Sequence, residues 1–282
     1  MAELTVGGIR IHFTDDAQTE KPVCVLLHGF PQSSLTWRYV TPYLANHYRV
    51  IMVDLRGYGK SDKPVQEELY TNEIMANDVV EVLDHLDIHQ ALVVGHDRGA
   101  RVARRLAYEK PTLVKKLVLI DILPVEYVYQ LSAEEAAKKY WHWVFQVVPD
   151  LPETLIEGKE EAFLTYLLDR GDGLYERLKA DGSFNEYLRD FQQPGAVKAA
   201  LNDYRATYRT DLVFYKKGVD KLPQDTLLLW GENGNLAGLP VIDVWKQTVA
   251  RVEGVEIKDC GHYVPEEKPK EVAEYILQFD EL

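Results

Sequence analysis

Gly95-His96-Asp97-Arg98-Gly99 follows the apolar run Ala91-Leu92-Val93-Val94 and precedes a helical-looking stretch, residues 100–109. A buried strand, a tight turn and a helix are predicted in that order. The two glycines have a steric reason. The turn forces its middle residue into strained backbone geometry, and only residues without Cβ pack so close to it. The pattern is Gly-x-nucleophile-x-Gly, with Asp97 in the nucleophile's place. A carboxylate there can attack carbon and form an ester.

The flanking chain supplies similar strand ends. Residues 8–13 alternate and read as an early strand. The run 23–27 is continuously apolar, as in a strand covered on both faces, and ends in His28-Gly29-Phe30-Pro31. The run 49–53 ends in the glycine-rich loop Asp54-Leu55-Arg56-Gly57-Tyr58-Gly59-Lys60-Ser61-Asp62. Residues 33–45 and 70–86 have helical character, and the short strand 117–120 ends at Asp121. Strands alternating with helices imply a mostly parallel sheet, with ligands at the strands' carboxyl ends. Asp97, Asp121, His28 and His262 each fall just after a strand, so one sheet edge can gather them.

Between residues 124 and 218 the character changes to helix-like, aromatic-rich sequence, as in Tyr140-Trp141-His142-Trp143-Val144-Phe145. Gly171-Asp172-Gly173 and Gln193-Pro194-Gly195 mark loops within it. The α/β pattern resumes with a strand at 226–230, a helix at 240–251, a strand at 255–258 and a closing helix at 269–279. The predicted organisation is an α/β core formed by 1–123 and 219–282, with an inserted helical cap at 124–218.

A chain of 282 residues suits one large domain with an insertion. Its net charge of −13 argues against nucleic acid and anionic membranes as partners. The same charge means that an anionic ligand needs a local positive site. No apolar stretch reaches membrane-spanning length, and residues 1–4 carry no basic or apolar leader pattern. Cys24 and Cys260 sit in or beside apolar runs and read as buried thiols. A cytoplasmic location is the resulting expectation.

His28-Gly29-Phe30-Pro31, the loop 54–62, Gly95-His96-Asp97-Arg98-Gly99 and Gly261-His262-Tyr263-Val264-Pro265 together resemble the α/β-hydrolase family. Its fold is a mostly parallel sheet flanked by helices, with a cap. An aspartate nucleophile is similar to the haloalkane dehalogenase and epoxide hydrolase branch. Arg98, Arg101, the pair His142-Trp143 and Tyr204 resemble haloacetate (fluoroacetate) dehalogenases. That likeness implies cofactor-free and metal-free hydrolysis of small 2-haloacids by a homodimer.

The likeness assigns roles that chemistry supports. Asp97 is the nucleophile. His262 activates water, since imidazole has the right pKa at neutral pH. An acid must orient that imidazole. The loop after strand 226–230 reads Gly231-Glu232-Asn233-Gly234-Asn235, with asparagines where an aspartate is commonly found. Asp121, at the end of the strand after the nucleophile helix, is therefore the assigned acid, with Glu232 as its rival. Arg98 and Arg101 are the expected forks for a substrate carboxylate. The likeness gives the halide to His142, Trp143 and Tyr204, and the oxyanion hole to the backbone N–H groups of Phe30 and Arg98. Lys139 is a further source of positive charge, and Arg104 and Arg105 are structural.

Two other readings use the same residues. An epoxide hydrolase keeps Asp97 and His262 and protonates the epoxide with cap tyrosines, for which Tyr140, Tyr166, Tyr187 and Tyr204 are candidates. A non-catalytic receptor closes its cap over a small carboxylic acid and needs only the arginines.

Overall fold

The computed structural model describes residues 2–171 and 173–281. An eight-stranded sheet carries strands in the order β1-β2-β4-β3-β5-β6-β7-β8. β1 (Ala2–Val6) and β2 (Ile9–Asp15) form an antiparallel hairpin, and β2 pairs antiparallel with β4 (Arg49–Val53). The remaining strands, β3 (Val23–Leu27), β5 (Ala91–His96), β6 (Val114–Ile120), β7 (Leu222–Gly231) and β8 (Val249–Ile257), run parallel. β1 was not predicted. Its hairpin turns on Gly7 and Gly8, both at positive φ, which is the geometry a tight two-residue hairpin requires.

The central strands are buried on both faces, as their unbroken apolar runs demand. One layer of core lies under α1 (Asn72–His85) and α2 (Arg98–Glu109), and contains Met75, Val79, Val102 and Leu106. The opposite layer holds Trp37, Val94, Ile120 and Ile276. Two predictions change. Residues 33–45 form two short turns, Ser34–Trp37 and Thr41–Leu44, instead of one helix. The helix expected at 240–251 stops at Trp245, and Arg251 lies in β8. Register explains the second, because Arg251 pairs with Asp225 of β7.

Between β6 and β7 the chain is helical. Its elements include α3 (Ala133–Lys139), α4 (Trp141–Gln146), α5 (Glu160–Leu168), α6 (Leu174–Ala180), α7 (Ser183–Phe191) and α8 (Ala196–Ala206). α3 begins with a capping box, Ser132 and Glu135 bonding each other's backbone N–H. α8 starts after Gly195 at φ 83°, in the turn read from Gln193-Pro194-Gly195. In the other loop signal, Asp172 lies outside the described residues. The chain closes with α9 (Pro269–Glu281) on the core. Cys24 and Cys260 are buried and unpaired with each other. No described helix is long and apolar enough to cross a membrane.

Candidate active site

The turn between β5 and α2 holds Asp97 at φ 48°, ψ −113°, a costly conformation for a residue with a side chain. Sterics fix its glycines. A Cβ on Gly99 would overlap the Leu27 carbonyl oxygen, and one on Gly95 would lie 2.5 Å from the Ala100 Cα. The β3 loop approaches the same point, where a Cβ on Gly29 would lie 2.5 Å from Asp97 Cβ. That approach lets the Phe30 N–H donate to Asp97 Oδ2 at 3.0 Å. The Arg98 N–H, expected to share this role, makes no hydrogen bond to the carboxylate among the described residues.

Asp121 follows β6, itself at φ 47°. Its Oδ2 lies 2.5 Å from His262 Nδ1, and Oδ1 accepts from the Gly231 N–H at 3.3 Å. Glu232, the rival acid, instead pairs with Lys258 at 2.9 Å near the surface and accepts the Asp259 N–H. Burial alone lowers the pKa of His262, but the Asp121 charge and hydrogen bond outweigh it and hold the imidazole above its usual value. Burial raises Asp97, and the neighbouring His262, His96 and Arg98 with the Phe30 N–H bring it below the usual carboxylate range. The Asp97 carboxyl and the His262 imidazole are thus shifted in opposite directions.

A small cavity separates Asp97 and His262 from the helical segment. Phe30, Tyr140, His142, Trp143, Arg170, Tyr204, Asn235 and Tyr263 are among its walls. It measures ≈ 20 Å³ for the centre of a water-sized sphere, which is room for roughly one water. His142 and Trp143 come from α4 and Tyr204 from α8. Their ring N–H and O–H groups make no hydrogen bonds to the protein among the described residues. Burial pushes His142 down to about 3, so it is a neutral imidazole at neutral pH.

The arginines depart from expectation. Arg98 was to offer its fork to a substrate carboxylate. Its Nε instead donates to Asp203 Oδ2 at 2.9 Å, and its Nη2 to Asp203 Oδ1, the Asp203 carbonyl at 3.0 Å and Thr207 Oγ1 at 2.5 Å. Only Nη1 is left without a partner. The physical reason is local: a cation fully enclosed at the elbow needs a fixed counter-charge. Three of the four arginines on α2 are paired in this way, Arg98 with Asp203, Arg104 with Glu126 and Arg105 with Glu73 and Glu109.

Arg101 is the fourth. It is buried, has no ion pair among the described residues, and leaves Nε and Nη2 unpartnered. Burial and the neighbouring Arg98 pull its pKa down to about 10. Neither Arg98 nor Arg101 is part of the cavity wall. They back its rings, with Arg98 4.5 Å over Tyr204 and Arg101 4.4 Å over Trp143. Lys139 is also displaced from the site and donates to the carbonyls of Asn235 and Ala237.

A family model described as the alpha/beta hydrolase fold matches residues 22–269. The chain belongs to the α/β-hydrolase family. It is similar to a soluble epoxide hydrolase of Corynebacterium sp. (strain C12), 33% identical over 97% of this chain and 94% of the relative. It is also similar to a fluoroacetate dehalogenase of Burkholderia sp, 31% identical over 92% of this chain and 86% of the relative. Among solved structures, the epoxide hydrolase CorEH superposes with a TM-score of 0.90 at 31% identity, covering 99% of this chain and 97% of that one.

This α/β-hydrolase also uses residues that sequence reading missed. His96 donates from Nε2 to the His262 carbonyl at 2.9 Å, which fixes its tautomer. Glu267 accepts the N–H groups of Gly261 and Tyr263 at 2.5 and 2.8 Å, bracing the loop on both sides of His262. His28, already placed at a strand end by the sequence, ties two strand ends together by accepting the Leu55 N–H at 3.0 Å. Asp203 and Arg170 were missed as well. An acid beside the singled-out Tyr204 was the available signal for Asp203; nothing in the sequence pointed to Arg170.

Proposed function

We propose that this hydrolase acts on small 2-haloacids through an ester of Asp97, within a core and helical cap divided at residues 124 and 218. The observation that carries the reading is Arg101, a buried cation behind the Trp143 wall whose Nε and Nη2 have no partner among the described residues. A buried charge without a partner is costly, and a carboxylate is the group whose geometry matches the Nε/Nη2 edge.

In the first step Asp97 Oδ1 attacks the carbon bearing the halogen, and the carbon–halogen bonding pair leaves as halide. Asp97 Oδ2 stays against the Phe30 N–H. His142, Trp143 and Tyr204 present N–H and O–H donors toward the leaving halide. In the second step His262, oriented by Asp121, takes a proton from water as the oxygen adds to Asp97 Cγ. The negative charge then develops on Oδ2, where the Phe30 donor already is. Collapse expels the 2-hydroxyacid oxygen, which takes the proton from His262.

A second reading, epoxide hydrolysis, is favoured by a different observation. The Tyr140 hydroxyl is buried without a partner among the described residues in a cavity wall that Tyr204 also lines, whereas Arg101 lies behind it. The similar proteins carry both names and do not choose between them. Ion-specific measurement of fluoride and chloride from fluoroacetate and chloroacetate, with Asp97→Asn as control, tests the first reading. Halide lost in the control supports it. No halide from folded protein, with diol formed from an epoxide panel, replaces it with the second.

A further inference from the structure

Behind the catalytic histidine lies a second cavity, ≈ 90 Å³ in volume, walled by Arg170, Asn233, Gly234, Asp259, Cys260, Gly261 and His262. Arg170 and His262 belong to both cavities. Arg170 is exposed to solvent, so its guanidinium stands where the inner cavity, the outer one and bulk water meet. Among the described residues it is the one arginine or lysine in either wall. Its Nε donates to the Leu167 carbonyl at 3.1 Å and its Nη1 reaches Asn235 Oδ1 at 3.5 Å. Two neutral acceptors thus aim it without neutralising it, and a guanidinium has further N–H groups to offer.

The other charged side chains in the two walls, His262 aside, are acidic. Asp97 and Asp121 line the inner cavity, Asp259 the outer one, and the whole chain carries −13. An anion crossing into such a site meets repulsion unless a cation stands on its path. We propose that Arg170 is an anion-binding residue at the mouth of the site, taking the carboxylate of an incoming acid and the anions that leave. The proposal rests on the anionic-substrate reading given above, but its observation is separate: Arg170 contacts the open cavity, whereas Arg101 is enclosed behind Trp143. Arg170 also sits close enough to His142 and His262 to lower their pKa values, so an anion held by it is within range of the reacting groups.

The experiment uses the full chain and titrates acetate, with neutral acetamide as control, by tryptophan fluorescence at low and high salt. The variants are Arg170→Gln and Arg170→Lys. Because Arg170 is exposed and makes no ion pair among the described residues, neither change threatens folding. Acetate affinity is expected to fall about 3- to 5-fold in Arg170→Gln at low salt, as for a rim charge, with the loss mainly in the association rate. Arg170→Lys restores most of it, and high salt erases the difference. Acetamide is unaffected in all three proteins. Equal acetate binding by wild type and Arg170→Gln overturns this inference and leaves the haloacid reading intact. Arg170-dependent acetate binding with no halide release upholds it while that reading falls. No acetate binding by the wild type rejects both.

Discussion

Asp203 grips Arg98 along the Nε/Nη2 edge of the guanidinium and again through its own backbone carbonyl. Tyr58 adds a hydroxyl to the same carboxylate at 2.7 Å. The pair joins the turn that carries Asp97 to α8, the helix that carries Tyr204. Removing Asp203 leaves a buried cation with no counter-charge. Asp203→Ala is expected to lower stability by about 3–5 kcal/mol. Urea unfolding reads this directly, and an unchanged midpoint denies the pair its structural role.

Arg101 calls for the opposite result. Its charge is buried and unpaired, so Arg101→Leu is expected to leave stability unchanged or raise it by about 1–2 kcal/mol. Turnover of haloacids falls by at least ~30-fold, the loss typical of removing one partner from a buried charge contact. Epoxide turnover is spared. Loss of stability together with loss of activity would mean that Arg101 serves the fold and not a ligand.

The pH profile follows from the triad. His262 must be neutral to accept a proton, so turnover is low below its raised pKa and climbs as pH passes through it. Asp97 is held below the usual carboxylate range and is ionised over that whole interval. Asp121→Asn removes the charge that raises His262. The acid limb should then move to lower pH while the maximal rate drops on the order of 10³- to 10⁴-fold. A limb that stays in place excludes Asp121 as the source of the shift.

Glycine packing at the elbow gives a stability test independent of chemistry. In Gly99→Ala the new methyl meets the carbonyl oxygens of Leu27, the last residue of central strand β3, and of His28 just after it, and this backbone cannot yield. A loss above about 2 kcal/mol is expected. Gly158→Ala is the control. Its φ of +80° is unfavourable for alanine, yet a Cβ there meets nothing within 4 Å, and the loss should stay near 1 kcal/mol. Comparable thermal midpoints for the two variants would refute the packing argument.

Much of this molecule is legible in its sequence. Strand β5, its turn and α2 follow from an apolar run, two glycines and helical spacing, because those are local signals of burial and backbone geometry. Asp121 is legible by its place at a strand end, but that it meets His262 while Glu232 meets Lys258 is visible only in the structure. β1 escaped because a short edge strand with one apolar face carries little pattern. Arg98 and Arg101 stand three residues apart with similar neighbours, and nothing local separates them. Their fates diverge because Asp203, 105 positions away in the chain, folds onto one of them and no carboxylate among the described residues folds onto the other. The sequence by itself determined the parallel sheet, the nucleophile's turn and the residues that follow each strand, since these depend on neighbours along the chain. Tertiary structure alone decided which charges are cancelled, which is left open and which cation meets solvent at the cavity, because each of those depends on groups that only packing brings within a few ångströms.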